Sequence, residues 1–458
     1  MKQLIFFLSC SISTVFAQDS LVISRLNLTD FLTHVKENHP IAVVTQNNVE
    51  MSQRVIQLAK GAFDPKAFAA IDQKYYDGKT YYSTLSSGVK IPTRFGVNFK
   101  AMGDFNSGAY LNPENRVPEN GLTYLGLELP LGQGLFTDEN RTILKRAEIA
   151  FNQSAIQQQL DLNELLFQAG QAFIDWQKNT ALLQLAEEGI TLAAERLSQI
   201  KSNVEVGERA ALDSVEANAN YLLRKNDLLE RQLATKNALR NVELFLWEKG
   251  MIPLNLEDNI LPVALIEMKP TVQLRDSLDA HPIVLSYTNK IADLTVEQRW
   301  KRDQLKPQLN FNYNLLQTPD NLISMNYSYL NYKWGASFSM PLFLRKERAG
   351  LAISGLKIEN TELERTNKER EIATKLSVNL NEWSTFYNQT DVSQEIASNY
   401  QTLSAAEREL FEIGESSLFL INSREMSYLS AQAKYIESLA KTNKAALKQS
   451  YLLGNLGR

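Results

Sequence analysis

The chain is poor in several things, and each shortage excludes a class of protein. Its one cysteine, Cys10, sits near the start, inside an apolar stretch that runs from Leu4 through Phe7 and Leu8 to Val15-Phe16-Ala17. That stretch follows Met1-Lys2-Gln3 and reads as a secretory signal peptide over residues 1–17, cleaved after Ala17. Lipidation at Cys10 would leave a signal of only about nine residues, shorter than such signals usually are. The expected mature chain therefore has no thiol, which excludes disulfides, thiolate metal sites and cysteine nucleophiles together. No later segment approaches the ~18 consecutive apolar residues of a membrane helix. A membrane crossing would have to be made by a closed β-barrel. A formal net charge of -4, with no block of like charge, offers nothing to neutralise phosphates, so no nucleic-acid partner is expected.

Proline is missing where it matters most. None lies between Pro130 and Pro253, and none follows Pro341. Both tracts are rich in Ala, Leu, Gln, Glu, Lys and Arg, and an interior proline would cost a helix about 3 kcal/mol. They read as long helices, the first running from about Asp138 to about Glu205, roughly 100 Å at 1.5 Å per residue. Apolar residues recur along it at spacings of three and four: Leu162, Leu165, Leu166, Ala169, Ala172, Phe173, Trp176, Leu182, Leu185, Ala186, Gly189 and Ala193. Such a stripe calls for helical neighbours along its whole length. Each tract is broken once by a glycine in a short polar turn, Val206-Gly207-Glu208 and Ile413-Gly414-Glu415, where a left-handed residue ends a helix. A second helix then returns, to about Lys249 and about Leu453.

Aligning Gly207 with Gly414 also aligns Trp176 with Trp383, Lys201 with Arg408 and Val206 with Ile413 at one spacing. Further upstream, Leu129-Pro130-Leu131 answers Met340-Pro341-Leu342, and His39-Pro40 answers His281-Pro282. The chain reads as a tandem repeat. Residues 18–249 form the first copy (β region about 67–131, long helices about 138–249), 250–270 a proline-bearing linker, and 271–458 the second copy (strands about 308–341, long helices about 344–453). The first copy holds about thirty more residues between its His-Pro and its strand-ending proline.

In the second copy, Gln308 to Leu315 alternates polar and apolar, and Tyr332, Trp334, Ala336, Phe338 and Met340 alternate with Asn331, Lys333, Gly335, Ser337 and Ser339. Ala67 to Tyr76 and Leu122 to Leu129 do so less cleanly. The segment Ser83 to Phe105 has β character enough for one or two more strands, either in the sheet or in an enlarged external loop. Alternation alone does not separate a membrane barrel from a hairpin packed on a soluble core. Four strands cannot close a barrel, since single-chain barrels have at least about eight, so other chains must supply the edges. Three copies would give twelve strands, with six helical segments per chain to line a matching tube.

The signal peptide, the paired His-Pro helix starts, Leu-Pro-Leu-Gly-Gln-Gly-Leu-Phe at Leu129 to Phe136 and the glycine-turned hairpins together resemble the TolC-like outer-membrane efflux proteins, over essentially the whole mature chain. The resemblance implies a mostly α fold with a β-barrel contribution. Its form would be a homotrimer with a twelve-stranded barrel set in outer-membrane lipid of a Gram-negative bacterium and a long periplasmic α-barrel. It further implies a passive duct in tripartite efflux or type I secretion, joined through a periplasmic adaptor (membrane fusion) protein to an inner-membrane pump of the RND or ABC type.

No catalytic constellation, cofactor or metal is expected. The histidines are His34, His39 and His281, two of them in equivalent His-Pro positions, without metal-ligand spacing. Gly132-Gln133-Gly134 precedes a helix but lacks the rest of a phosphate-loop pattern and reads as the turn from strand to helix. The hairpin tips are the functional candidates. By family position, Val206, Gly207, Arg209, Ile413, Gly414 and Ser417 would meet the adaptor. The first tip resembles the family pattern, with an aspartate six residues past its glycine. The second departs from it: Leu420 and Ser423 stand where well-known members place acidic residues, and Phe411 and Ser416 replace a latching tyrosine and arginine. Asp213 and Glu216, three apart on one helix face, would bring six carboxylates to a trimeric tunnel entrance and favour cations there. The simpler account of these two is a solvated polar face at a helix start. The rival from another class is a periplasmic adaptor or structural coiled-coil protein without a pore.

Overall fold

A computed structural model describes residues 25–257, 260–271, 278–319 and 327–457. The expected signal peptide, with Cys10 and the cleavage position after Ala17, lies outside the described residues.

Among the described residues there are seven α-helices: α1 (Leu28–Asn38), α2 (Pro40–Lys60), α3 (Glu139–Glu205), α4 (Ala211–Glu243), α5 (Pro282–Asp303), α6 (Arg345–Glu412) and α7 (Leu418–Leu452). At 67 and 68 residues, α3 and α6 each span roughly 100 Å. Several helix starts are set by local caps. The Asp138 carboxylate accepts from the Arg141 N–H at 2.8 Å, satisfying one of the donors a helix start leaves free. The paired histidines do the same for α2 and α5: Nδ1 of His39 and of His281 each accepts from the N–H two residues on, at 3.2 Å, with Pro40 and Pro282 occupying the first helical position. The His-Pro pairs are helix starts, and this explains their recurrence.

Both long hairpins end in the same backbone figure. Gly207 and Gly414 have φ of +82°. The Glu208 N–H donates to Asn203 O at 2.8 Å and the Gly207 N–H to Val204 O at 3.1 Å, and Glu415 to Leu410 and Gly414 to Phe411 repeat the pair at 2.9 and 3.2 Å. These are the paired bonds of a Schellman stop, which a glycine reaches without a Cβ penalty. The return helix α4 ends at Glu243, short of the expected Lys249, because Trp247–Glu248 pairs back on Ile252–Pro253.

The helices lie side by side in one layer. Beside the sheet the order is α2, α3, α5, α6; toward the tips it is α4, α3, α7, α6. Burial on α6 follows the heptad line Trp383, Thr390, Ala397, Ser404 and Phe411. α3 and α7 approach closely at Gly170, where a Cβ would come within 2.7 Å of Leu447. The segment after α4 contains no α-helix among its described residues and straps the layer: Gln177 donates to Val263 O at 2.7 Å, Asn443 to Ile266 O at 2.9 Å and the Trp383 indole to Met268 O at 3.1 Å. The largest apolar core gathers Phe31 and Val35 of α1, Leu165 to Trp176 of α3 and Leu239 and Val242 of α4.

One antiparallel sheet of six strands stands on this layer, where four strands were expected. In chain order they are β1 (Lys66–Tyr76), β2 (Lys79–Pro92), β3 (Asn98–Ser107), β4 (Leu122–Pro130), β5 (Gln308–Gln317) and β6 (Tyr332–Ser339), and neighbours in space follow that order throughout. The segment from Ser83 to Phe105 is therefore sheet, not external loop, and it supplies the two additional strands. Gly132-Gln133-Gly134 is the turn from β4 toward α3. It is pinned to the end of α5, where the Gly134 N–H donates to the buried Asp303 carboxylate at 2.7 Å and the Gln133 N–H to Pro307 O at 2.8 Å.

Candidate functional site at the hairpin tips and the sheet

The two turns sit side by side at the end of the layer farthest from the sheet, joined by a small core of Leu197, Ile200, Ala217, Phe411, Leu418 and Ile421. Val206 and Ile413 are 71% and 69% exposed, and Gly207 and Gly414 have nothing of this chain within 4 Å of a built Cβ. These four present an open surface. Arg209 and Ser417 are placed differently. The Arg209 guanidinium lies over the Phe411 ring at 4.9 Å and 3.9 Å from the Asp213 carboxylate, while the Ser417 hydroxyl caps α7 by accepting from the Leu420 N–H at 3.2 Å. Family position brought them forward as contact residues, yet their side chains are engaged within the chain. Leu212, Val215 and Phe419 are exposed beside the turns and were not singled out from sequence. The available signal was an apolar residue within the first turns of each return helix.

Phe411 is buried, and the Arg196 guanidinium also lies over its ring, at 4.8 Å. Arg196 pairs with Glu425 at 2.6 Å, and both side chains are only 5% exposed. Ser416 donates to the buried Glu407. Phe411 and Ser416, which the sequence resemblance sets at latch positions, are thus engaged inside this chain. Asp213 and Glu216 both lie in the first turns of α4, but each is engaged: Asp213 by Arg209, Glu216 by an amide donor from Asn422 at 3.3 Å.

Along the hairpins, burial pushes the Asp175 carboxyl up, but Lys444 at 2.7 Å and Lys178 at 3.0 Å outweigh it and hold it below the usual carboxylate range. Burial lowers His39, against a smaller raising contribution from the backbone of Leu244. Among the described residues no three His, Cys, Asp or Glu side chains cluster as a metal site, and no helix is long and apolar enough to cross a membrane.

The sheet has two unlike faces. Residues paired across strands share a face, so the register sorts them. On one face stand Ile71, Leu85, Val89, Phe99, Phe105, Leu125, Leu127, Phe311, Tyr313, Leu315, Trp334 and Phe338. Away from the β1–β2 turn, every charged strand residue stands on the other: Lys66, Asp72, Lys74, Lys90, Lys100, Asp104, Glu128 and Lys333, among Asn310, Asn312 and Asn314. That second face also carries Phe68, Met102, Tyr124 and Leu316 in one row beside the lysines, so the two faces differ in charge: one uncharged away from that turn, the other mixed.

Solved structures share this arrangement of a sheet on a layer of long helices. The fold is that of the TolC-like outer-membrane channels. The outer-membrane channel CmeC of Campylobacter jejuni matches with a TM-score of 0.67 and 14% identity, over 93% of this chain and 85% of that one. The open state of the MtrE outer-membrane channel of Neisseria gonorrhoeae matches with a TM-score of 0.68 and 13% identity, over 94% and 89%. The outer-membrane protein VceC of Vibrio cholerae matches with a TM-score of 0.64 and 10% identity, over 93% and 96%. No family profile and no curated sequence matches the chain. At these identities the TolC-like likeness is one of fold.

Proposed function

We propose that the chain is the outer-membrane channel subunit of an export system, a passive duct that forms when three copies associate. The observation that carries this reading is that both layers end in unpaired edges at the same two sides. The sheet is open at β1 and β6. The helical layer is open at α2 and α4 on one side and α6 on the other, and these edge helices expose apolar heptad lines: Val44, Met51 and Leu58; Val215, Leu222 and Leu229; Ile396, Leu403 and Leu410. An open sheet edge and an apolar helix seam each call for a neighbour, and further copies of the same chain supply both at once.

The six-stranded sheet revises the size of the barrel. Three copies close eighteen strands, not twelve, above a tube with four helices per chain at each level. At a strand spacing of ~4.8 Å and a tilt of ~40°, eighteen strands give a backbone diameter of roughly 36 Å, against roughly 24 Å for twelve. Coupling to a periplasmic adaptor and an inner-membrane pump is part of the proposal, with Val206, Gly207, Ile413 and Gly414 as the docking surface, extended by Leu212 and Phe419. Arg209 and Ser417 shape the tips from within.

The test is fractionation. The protein should extract from outer membranes as a trimer that migrates intact without heating and dissociates on boiling. Leu222→Asp with Leu229→Asp should yield monomers of unchanged helicity. A native chain recovered as a soluble periplasmic monomer would favour the adaptor-like alternative and overturn the duct.

A further inference from the structure

Five strand pairings line up one uninterrupted row across the whole polar face: Lys66, Lys90, Lys100, Gly126, Asn314 and Lys333. Four of the six positions are lysine. The carboxylate nearest the row is Glu128, two residues along β4 from Gly126, which receives Lys90 at 2.8 Å and Lys100 at 3.1 Å. No carboxylate among the described residues pairs with Lys66 or Lys333. Asp104 and Asp72 share the face but stand four and six positions farther along the register, opposite Ser86 and Thr84, beyond a Debye length of ~8 Å at about 3.4 Å per residue. Among the strand residues, the row therefore carries three net positive charges per chain.

We propose that this row is a cationic collar on the wall of the exit barrel, and that it favours anionic solutes in transit. The inference rests on the duct reading, in which the polar face lines the lumen. In the trimer the three rows put nine net positive charges on the lumen wall as an oblique band, each row of five ~4.8 Å spacings climbing about 15 Å across strands tilted ~40°. A band of lysines on a low-dielectric wall concentrates anions as rings of acids concentrate cations. Two of the four lysines stand where the chain departs most from a simple duplicated hairpin, since β2 and β3 belong to the segment that only the first copy possesses. Lys90 and Lys100 are on those two strands.

The expected absence of any mature thiol makes a direct measurement possible. In a Cys10→Ser background, Asn314→Cys places one thiol in the row and Leu315→Cys one on the opposite face. The trimer in lipid vesicles is treated with methanethiosulfonates of similar size bearing a sulfonate or a trimethylammonium. Asn314→Cys should react while Leu315→Cys stays protected by lipid, and the sulfonate should react roughly tenfold faster than the cation, the scale of electrostatic focusing in a charged cleft. Adding Lys66→Gln, Lys90→Gln and Lys100→Gln should bring that ratio close to one, without changing trimer migration. Equal rates for the two reagents at Asn314→Cys would overturn the collar and leave the duct standing. Protection at Asn314→Cys with reaction at Leu315→Cys would overturn the duct reading, and the collar with it.

Discussion

The buried ion pair behind the tips gives the sharpest quantitative expectation. Arg196 on α3 and Glu425 on α7 meet at 2.6 Å with both side chains 5% exposed, and the Arg196 Nε has no hydrogen-bond partner. Replacing one partner leaves a charge in a nearly dry site, which costs about 3–5 kcal/mol, whereas replacing both with apolar groups of similar volume is close to neutral. The two single changes should not be equal. Without Arg196, Glu425 still faces Arg408 at 3.9 Å. Without Glu425, Arg196 keeps only the face of Phe411. Glu425→Leu should therefore sit at the upper end of the range and Arg196→Met at the lower. The pair ties α3 to the start of α7, so the loss should appear as local opening of residues 418–429 more than as global unfolding. Amide exchange followed by mass spectrometry should show protection there falling roughly a hundred- to a few-thousand-fold in the single variants. Exchange in α3 beside Phe173 should be unchanged, and the double variant should recover most of the protection. Equal protection in wild type and Glu425→Leu, or a double variant as open as Glu425→Leu, would refute the reasoning.

Three further outcomes follow from the tips and the hairpins. Gly207→Leu with Gly414→Leu strains two left-handed residues by about 1–2 kcal/mol each but meets nothing within the chain. Trimers should persist in the outer membrane while capture of the periplasmic partner is lost, and retained capture would remove the glycines from the docking surface. Asp213→Asn with Glu216→Gln should reduce any cation preference of the channel in planar bilayers; unchanged selectivity would mean that Arg209 and Asn422 already neutralise the pair. The carboxyl of Asp175 is held below its usual value, so the stability it adds is present above the unfolded pKa of about 3.9 and disappears as the pH falls through the folded value. Asp175→Asn should be less stable than wild type at neutral pH and indistinguishable from it below about pH 2, as read by thermal unfolding. A pH-independent difference would count against the Lys444 and Lys178 contacts.

What the sequence disclosed and what it hid divide along the range of the interactions. The long helices were legible because proline exclusion and the seven-residue stripes are properties of a contiguous stretch. The stops at Gly207 and Gly414 were legible because one φ decides each. The strand count was not. In β2 the run Ser83, Thr84, Leu85, Ser86, Ser87, Gly88 puts small polar residues on both faces, so alternation fails although the strand is paired on both sides. Its place is fixed by partners, above all by the close fit of Gly88, where a Cβ would fall 2.4 Å from Ala101 O. The lysine row was hidden for the same reason: Lys66, Lys90, Lys100 and Lys333 have no common spacing and become neighbours only through register. At the tips, Arg209 looked available because it follows an exposed turn, yet the ring that occupies it belongs to Phe411 on the other hairpin.

The inequality of the two copies then acquires a mechanical sense. Duplication alone would give each copy one strand hairpin and one pair of long helices, hence twelve strands over twelve helices in a trimer. Helices packed ~9–10 Å apart put twelve of them on a circle roughly 34–38 Å across. Twelve strands close at roughly 24 Å and eighteen at roughly 36 Å. In the proposed trimer the additional strands, β2 and β3, bring the barrel to the width of the helical tube beneath it, and the proposed duct has no step where the sheet meets the helices. With no narrowing at that junction, discrimination among solutes in the proposed duct falls to charge at the exit and to the tips. These are the two places where this chain's side chains are most specific: lysines in register on the sheet, and an internally clamped Phe411 below.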